Sequence, residues 1–177
     1  MNKLHLGSGS KHIDGFINID ARQLDGVDDV DDIKTLSKYQ ENSIELIYAA
    51  HVLEHVGRNE YSSVLQRWYD LLSNDGILRL AIPDIEKVFL HYEKYKDLKQ
   101  LRGLLWGGQT YPQNYHYMGW DFSTIESDLK KIGFKNIHRY DWRQTEHSHI
   151  DDFSQCYLPH MDKENGMLMS LNIEAIK

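Results

Sequence analysis

The sequence predicts an α/β fold with a mostly parallel sheet, and three features of the chain support this. Strand-like and helix-like segments alternate along most of its 177 residues. Two strand-like segments, Ile44–Ala49 and Ile77–Ile82, are apolar on both faces, which is typical of central parallel strands. Two further strand-like segments follow the last helical pattern without a clear helix between them. We therefore expect the final strand to pair antiparallel.

The first half of the chain is predicted to contain four strands and one helix. Short strands are expected at Lys3–Leu6, Phe16–Asp20 and Gly26–Val30, followed by the central strand Ile44–Ala49. The helix is indicated by apolar residues at helical spacing, namely Tyr61, Val64, Leu65, Trp68, Leu71 and Leu72. Asn59 is its expected N-cap, and Asn74–Gly76 its expected end.

The second half is predicted to contain two more helices and three more strands. After the strand Ile77–Ile82, Asp84 is expected to cap a helix with Val88, Tyr92 and Tyr95 on one side. The segment Ser123–Glu126 has a capping-box pattern, and an apolar stripe follows until Gly133: Ile125, Leu129 and Ile132. The last strands are expected at Asn136–Tyr140 and, after a turn at Asn165–Gly166, at Met167–Ile176.

Length and composition predict a single domain spanning residues 1–177. A monomer or a homodimer is expected, although no sequence feature identifies the oligomeric state. The net charge of −7 argues against general binding to nucleic acid or to anionic membranes. No apolar run reaches about 18 residues, so membrane insertion is not expected. Cys156 is the single cysteine, which suits a reducing cytoplasm, and it is interpreted as a small buried side chain rather than a nucleophile.

Gly7 and Gly9 follow the first predicted strand, and Asp20 ends the second. A dinucleotide fingerprint would need a third glycine where His12 stands, and a phosphate-binding loop would need the absent Gly-Lys-Ser/Thr triplet. Small residues allow a ligand to approach the backbone, and a carboxylate can accept hydrogen bonds from a ribose diol. This combination suits a nucleoside with a zwitterionic tail, of which S-adenosylmethionine is the commonest.

The chain resembles the class I S-adenosylmethionine-dependent methyltransferases, in particular a small branch with a shortened first helix. The similar segments are Leu4–Gly9, Phe16–Asp20, Asp31–Ile33, Ser43–Ala50 with His51-Val-Leu-Glu-His-Val56, and Asp75–Pro83. The resemblance implies a Rossmann-like, seven-stranded, mostly parallel sheet in the order 3-2-1-4-5-7-6. Its last strand would be antiparallel, with helices on both faces.

The resemblance also implies a set of site residues. Cofactor contacts are expected at Gly7, Ser8, Gly9, Asp20 and His51, with Asp32 accepting from the adenine amino group and Ile33 covering the ring. The alternatives are a structural turn for the glycines, a strand-end cap for Asp20, a solvated loop for the acidic run and helix-start packing for the His51–His55 pair.

Residues 103–121 are expected to form an acceptor-side loop or lid, with Tyr115 and Trp120 as substrate contacts. A packed aromatic lid without substrate contact is the alternative. If the acceptor is a hydroxyl, a base is required, and His55 and His116 are the candidate catalytic residues. If the acceptor is a carboxylate, no base is required.

The predicted function is therefore methyl transfer from S-adenosylmethionine to a small-molecule acceptor, with a sugar or glycan precursor as the favoured class. One alternative is a non-catalytic module that binds S-adenosylmethionine or S-adenosylhomocysteine. Another is a nucleotide-sugar or dinucleotide enzyme, against which the absent phosphate features count. No metal site is predicted. His147 and His149 could hold a metal with Asp151 or Asp152, but a solvated loop is the favoured interpretation.

Overall fold

The computed structural model describes residues 2–177. The strands in chain order are β1 (Asn2–Leu6), β2 (Ile17–Asp20), β3 (Asp29–Val30), β4 (Ile44–Ala50), β5 (Leu72–Pro83), β6 (Lys135–Arg139), β7 (Tyr157–Leu158), β8 (Met167–Leu168) and β9 (Ser170–Ile176). The α-helices are α1 (Tyr61–Leu71), α2 (Ile85–Tyr95), α3 (Arg102–Trp106) and α4 (Phe122–Ile132).

The predicted sheet topology is confirmed. Over residues 2–177, the main sheet has seven strands in the order β3-β2-β1-β4-β5-β9-β6. Strand β9 runs antiparallel to both β5 and β6, whereas the remaining pairs are parallel. The short strands β7 and β8 pair with each other outside this sheet. The carboxyl ends of β1, β2 and β4 therefore meet along one edge, where open α/β sheets bind ligands.

One face of the sheet is covered by α1 and α4. Their buried residues Val64, Leu65, Trp68, Ile125 and Leu129 join the apolar side chains of the central strands in the main core. On the opposite face, Ile13 and Phe16 pack against Leu46 and Tyr48 of β4. Helix α2 packs through Val88 against Leu101 and Met169. The two-sided burial of β4 explains why it is apolar on both faces.

The connection from β1 to β2 contains no α-helix among its described residues, in agreement with the expected shortening. This connection passes through turns instead, and Ile13 and Phe16 bury its apolar side chains. In the part of the chain that the structure describes, no helix has the length and apolarity needed to cross a membrane.

Several predicted helix ends were wrong. Helix α1 begins at Tyr61 with Glu60 at the cap position and no side-chain cap, so Asn59 is not the N-cap. Helix α4 is capped by Asp121, whose Oδ1 accepts from Thr124 N at 2.8 Å, and Ser123 lies inside the helix. A side-chain oxygen before the first turn can reach its free N–H groups, which Ser123 cannot do from within that turn.

Other predicted ends were confirmed. Asp84 caps α2 by accepting from Lys87 N, and Gly133 ends α4 with φ +123°. The predicted side of α2 was partly wrong, since Val88 and His91 are buried while Tyr92 and Tyr95 are exposed.

The strand predicted at Met167–Ile176 is divided in two. Met167 and Leu168 pair with β7, and the sheet strand starts at Ser170. Strand β5 starts at Leu72 rather than at Ile77. Its pairing with β4 shifts register between these residues, so the regular ladder begins at Leu46 and Ile77.

Candidate functional site

The carboxyl edge of the sheet opens into a cavity of about 1490 Å³. Its lining includes nine of the residues predicted for the site: Gly7, Ser8, Gly9, Asp20, Asp32, Ile33, His51, His55 and His116. The ends of four strands and the segment after α3 thus bring together residues that are far apart in sequence. The volume exceeds the range of about 300–1,000 Å³ that is typical of ligand pockets.

The turn after β1 depends on glycine at two positions. Gly7 and Gly9 have φ of +62° and +55°, a left-handed conformation that side chains disfavour. A Cβ atom on Gly7 would also collide with Cγ2 of Val52. Ser8 N, between the glycines, donates to Ile19 O at 2.9 Å and ties the turn to β2. The backbone here is therefore held close to the cavity without intervening side chains.

Asp20 at the end of β2 is linked directly to this turn. It is 5% exposed, and its Oδ2 accepts from Gly9 N at 2.9 Å. Its Oδ1 accepts from Arg22 N at 2.9 Å and from Arg22 Nε at 3.0 Å. Because these bonds use most of the acceptor capacity of a carboxylate, a ribose diol would compete with the Arg22 side chain.

Arg22 is a residue that sequence reasoning missed. It lines the cavity, and its guanidinium stacks over the ring of Tyr111 at 4.1 Å from the centroid. This contact connects the end of β2 with the segment after α3. The available signal was its position two residues after the predicted ribose acid, where an arginine can return to that carboxylate.

The acidic segment after β3 borders the cavity next to Asp20. Asp32 is exposed, and its Oδ1 accepts from Lys34 N at 2.9 Å. Ile33 is half-buried against the core. Asp31 also lines the cavity, and its buried Oδ2 has no hydrogen-bond partner among residues 2–177. This segment therefore offers an apolar surface beside free carboxylate oxygens, which suits the adenine roles expected of it.

His51 directly follows β4 and has a left-handed backbone, with φ of +53°. Its ring stacks on Phe153 with the centroids 5.2 Å apart, and its Nε2 lies 3.4 Å from Ser170 Oγ. Burial lowers the pKa of His51 to about 3, so the ring is neutral at physiological pH.

The two predicted catalytic histidines are brought together. The rings of His55 and His116 meet edge to face with their centroids 4.7 Å apart. Nδ1 of His55 lies 3.0 Å from Tyr115 O, and Nδ1 of His116 lies 2.9 Å from Leu104 O. Burial lowers the pKa of both rings. Their proximity could not be predicted from sequence, because they lie on different segments.

Glu54 is the second residue that sequence reasoning missed. It is 0% exposed, and its Oε1 lies 3.4 Å from His51 Nδ1 and 3.8 Å from His116 Nε2. Within the described part of the chain, neither carboxylate oxygen has a hydrogen-bond partner. Burial raises the pKa of Glu54 to about 8. The available signal was a glutamate between two histidines immediately after a buried strand.

The segment after α3 forms one wall of the cavity through Gly108, Tyr111–Asn114, His116 and Tyr117. Tyr115 does not line the cavity and is 39% exposed. Trp120 is 1% exposed in the main core, where its Nε1 donates to Asp128 Oδ2 at 3.3 Å. The structure thus places both predicted substrate contacts away from the cavity surface, consistent with the alternative of a packed aromatic segment.

Another wall is formed by residues 151–161, of which only Asp151 and Asp152 had been considered as ligands from the sequence, for a metal ion. Asp151, Asp152, Phe153 and Cys156 line it. Cys156 is partly buried, and this burial raises the pKa of its thiol to about 11. Its thiol therefore stays protonated at neutral pH, as expected for the non-nucleophilic interpretation.

The solvated-loop interpretation of His147 and His149 was wrong for His147. Its ring is 1% exposed and lies 4.2 Å from the ring of Tyr48, and Arg79 Nη1 is 3.1 Å from its Nε2. His149 is exposed. Asp152 accepts hydrogen bonds from Tyr48 Oη at 2.6 Å and from Ser154 Oγ, so both of its carboxylate oxygens are used within the fold.

No family model matches the sequence. One curated protein, a sphingolipid C9-methyltransferase from Komagataella phaffii, is 30% identical over 95 residues. The match covers 51% of this chain and 17% of that protein, so this chain corresponds to a small part of its length.

Solved structures are similar over nearly the whole chain. A SAM-dependent methyltransferase from Archaeoglobus fulgidus superimposes with a TM-score of 0.60 at 14% identity, covering 99% of this chain and 86% of its own. A possible histamine N-methyltransferase from Thermotoga maritima gives 0.58 at 13% identity, with 99% and 82% covered. The 1,6-didemethyltoxoflavin-N1-methyltransferase of Burkholderia thailandensis, solved with 1,6-didemethyltoxoflavin and S-adenosylhomocysteine, gives 0.59 at 14% identity, with 99% and 70% covered.

Proposed function

We propose that this chain, which has the fold of the class I S-adenosylmethionine-dependent methyltransferases, is a methyltransferase that acts on a small-molecule acceptor. The observation that carries the proposal is the link between the glycine turn and Asp20. Gly7 and Gly9, both with positive φ, follow β1 at the edge of the cavity. Gly9 N donates a hydrogen bond to the carboxylate of Asp20 at the end of β2.

The cofactor would lie across the strand ends. The methionine part would approach the backbone of Gly7–Gly9, and the ribose diol would bind Asp20 after the Arg22 side chain has moved. The adenine ring would rest on Ile33 with its amino group toward Asp31 or Asp32. These positions offer acceptors for the cofactor's donors and an apolar surface for its ring.

Methyl transfer requires alignment more than it requires proton chemistry. A lone pair of the acceptor attacks the methyl carbon, and the C–S bond breaks with its electron pair passing to sulfur. The product is S-adenosylhomocysteine. Because the positive charge of the sulfonium disperses in the transition state, a dry and fixed cavity favours the reaction. The chain's task is to hold both molecules in line and to exclude water.

A hydroxyl acceptor would also lose a proton. Nδ1 of both His55 and His116 faces a carbonyl oxygen, which can only accept. These Nδ1 atoms therefore carry hydrogen, which leaves the Nε2 lone pairs as the positions that can take a proton. This arrangement supports the proposal that the two histidines act as bases.

The size of the cavity leaves room for an acceptor beside the cofactor. Three side-chain amides lie at its wall. Gln113 is one, Gln100 Nε2 donates to Asp97 while its oxygen is not so engaged, and the Asn114 amide bonds to Gly108 N and Thr110. Such groups bind hydroxyl-rich molecules well. We therefore propose a sugar or glycan precursor as the acceptor class.

Calorimetric titration with S-adenosylmethionine and S-adenosylhomocysteine tests the cofactor site. We expect the native protein to bind both, and Asp20→Asn to lose roughly tenfold or more in affinity, since one charged acceptor becomes neutral. Asp14→Asn is the matched control, because the Asp14 side chain is 98% exposed. Absence of binding to the native protein would refute the proposal.

Turnover separates an enzyme from a binding module. The measurement is S-adenosylhomocysteine formation with a panel of sugars and sugar-containing glycan precursors. Tight cofactor binding without product formation from any acceptor would favour the non-catalytic alternative.

A further inference from the structure

Side-chain atoms that accept hydrogen bonds converge around Glu54 at the cavity wall. Ligand-type atoms of Glu54, His55 and His116 all lie within 4.8 Å of one another. His51 Nδ1 is 3.4 Å from Glu54 Oε1 on another side. The Glu54 carboxylate is fully buried and aimed into this cluster without a hydrogen-bond partner in the described chain. A buried carboxylate without a donor is costly, so the cluster requires a compensating positive charge or proton.

Backbone carbonyls determine which ring nitrogens face the cluster. Tyr115 O and Leu104 O accept from Nδ1 of His55 and His116, at 3.0 and 2.9 Å. The Nε2 atoms of both rings are therefore unprotonated when the rings are neutral. A carbonyl that holds Nδ1–H in this way is the usual support for a histidine that binds metal through Nε2.

The hydrogen-bond partner of His51 also indicates which of its ring nitrogens carries hydrogen. Ser170 Oγ donates to Asn172 Oδ1 at 2.9 Å, so it can accept from His51 Nε2–H at 3.4 Å. Nδ1 of His51 is then a lone pair, and it points at Glu54. Thus the lone pairs of His51 Nδ1 and His116 Nε2 face one carboxylate with the His55 ring beside them, and in this arrangement neither donates a hydrogen bond to it.

We infer that Glu54, His55 and His116 bind a divalent transition-metal ion beside the cavity, which leaves a fourth coordination position free. Metal–ligand bonds of about 2.0–2.2 Å require the ligand atoms to lie somewhat closer together than they do here. His116 belongs to the segment after α3, which Tyr117 N anchors to Glu54 O at 2.8 Å. A small movement of this segment would bring Nε2 of His116 toward the carboxylate.

The donor set selects the class of metal. Two imidazoles with one carboxylate suit zinc and similar first-row ions such as iron, cobalt or nickel. Magnesium and calcium prefer oxygen ligands and are disfavoured here.

The role of the ion rests on the proposed function. His55 and His116 line the same cavity as the proposed cofactor turn, so an acceptor hydroxyl in that cavity can reach the ion. An ion held there would lower the pKa of a hydroxyl in its free coordination position, so deprotonation of the acceptor would not require a protein base. His55 and His116 would in that case be ligands rather than general bases.

Metal binding can be measured without any activity assay. The whole chain, stripped of metal with a chelator, is dialysed against Zn²⁺, with bound metal determined by mass spectrometry, and Co²⁺ is added separately to read its visible absorption. We expect one equivalent of Zn²⁺ and a Co²⁺ spectrum typical of mixed nitrogen and oxygen ligation. Glu54→Gln and His116→Ala should each weaken Zn²⁺ binding by roughly 100-fold or more. Even the mutation of a residue that only hydrogen-bonds to a metal ligand lowers metal affinity by about 10–100-fold.

His149→Ala is the matched control, because His149 is exposed and lies outside the cavity lining. It should bind Zn²⁺ like the native protein. Absence of stoichiometric binding, or equal binding in the native protein and both site variants, would overturn the inference. If Glu54→Gln fails to fold, as judged by circular dichroism, His116→Ala decides alone, since its side chain lies on a peripheral segment.

A failure of the metal site can be distinguished from a failure of the proposed function. S-adenosylmethionine titration of the stripped and Zn²⁺-loaded proteins reports on the cofactor turn alone. Zinc binding without cofactor binding would leave the metal site standing and refute the methyltransferase proposal. Cofactor binding without zinc binding would refute the metal site and leave the methyltransferase proposal standing.

Discussion

Gly7 is restricted by two independent effects at one position. Its φ of +62° disfavours any side chain, and a Cβ there would meet Val52. Gly15 has φ of +81°, but a Cβ at that position would meet no atom within 4 Å, so Gly15 isolates the first effect. Two glycines with the same left-handed backbone can therefore differ in how strongly they exclude a side chain, depending on the atoms around them.

We predict that Gly7→Ala lowers the free energy of unfolding by about 2–4 kcal/mol, from left-handed strain together with overpacking. Gly15→Ala should lose only about 1 kcal/mol, from strain alone. Urea denaturation of the two variants measures this difference. Equal losses would show that Val52 accommodates the extra methyl group.

The positions of individual side chains could be predicted where they depend on a short stretch of backbone, while their roles in binding remain predictions. Gly7, Gly9 and Asp20 were recognisable because a strand, a turn and a second strand lie close together in sequence. Glu54 was not recognised, since its significance arises from His116, which lies on a distant segment. A carboxylate in an apolar stretch is ambiguous until its neighbours in space are known.

At the level of elements, α4 shows how capping is decided. Asp121 Oδ1 accepts from Thr124 N at 2.8 Å, and Ser123 Oγ donates to the same oxygen at 2.9 Å. These bonds lower the pKa of Asp121. The capping-box pattern at Ser123–Glu126 identified the helix but placed its first residue too late.

We predict that Asp121→Ala lowers the free energy of unfolding by about 1 kcal/mol, because a free N–H group of the first turn loses its acceptor. Ser123→Ala should change stability by no more than a few tenths of a kcal/mol, since the cap itself remains. Chemical denaturation at neutral pH compares them. A larger loss in Ser123→Ala than in Asp121→Ala would contradict this assignment of the cap.

For the whole molecule, buried neutral histidines connect stability to pH. His147 packs between Tyr48 and Phe16, and it is faced by Arg79, Asp152, Glu146 and His5. Burial lowers its pKa from 6.5 to about 4. The unfolded chain therefore binds a proton near pH 6.5 that the folded chain does not bind until about pH 4. Its contribution to stability is full above pH 6.5 and is lost as the pH falls toward 4.

We predict that His147→Gln weakens the loss of stability between pH 6.5 and 4 by up to about 3 kcal/mol, because each pKa unit corresponds to about 1.4 kcal/mol. The amide oxygen of glutamine can still accept from Arg79. The exposed His149→Gln is the control and should keep the native pH dependence. Denaturation curves at several pH values measure the slope, and an unchanged slope in His147→Gln would contradict the prediction.

The sequence by itself determined the sheet topology class, the glycine turn and the acid that faces it. Apolar residues on both faces identify central strands, and helical spacing identifies α1 and α4, because these patterns follow from the geometry of each element. Adjacent strands then bring the ends of β1 and β2 together. These features depend on short stretches of chain and on general rules of connection.

Only the tertiary structure decided which distant side chains meet. Trp120 entered the core rather than the cavity, His147 was buried, and Glu54 came to face His116. The segment that carries His116 has no regular period, and its position depends on particular backbone bonds such as Tyr117 N to Glu54 O. Such bonds join segments that are far apart in sequence, so no local pattern encodes them.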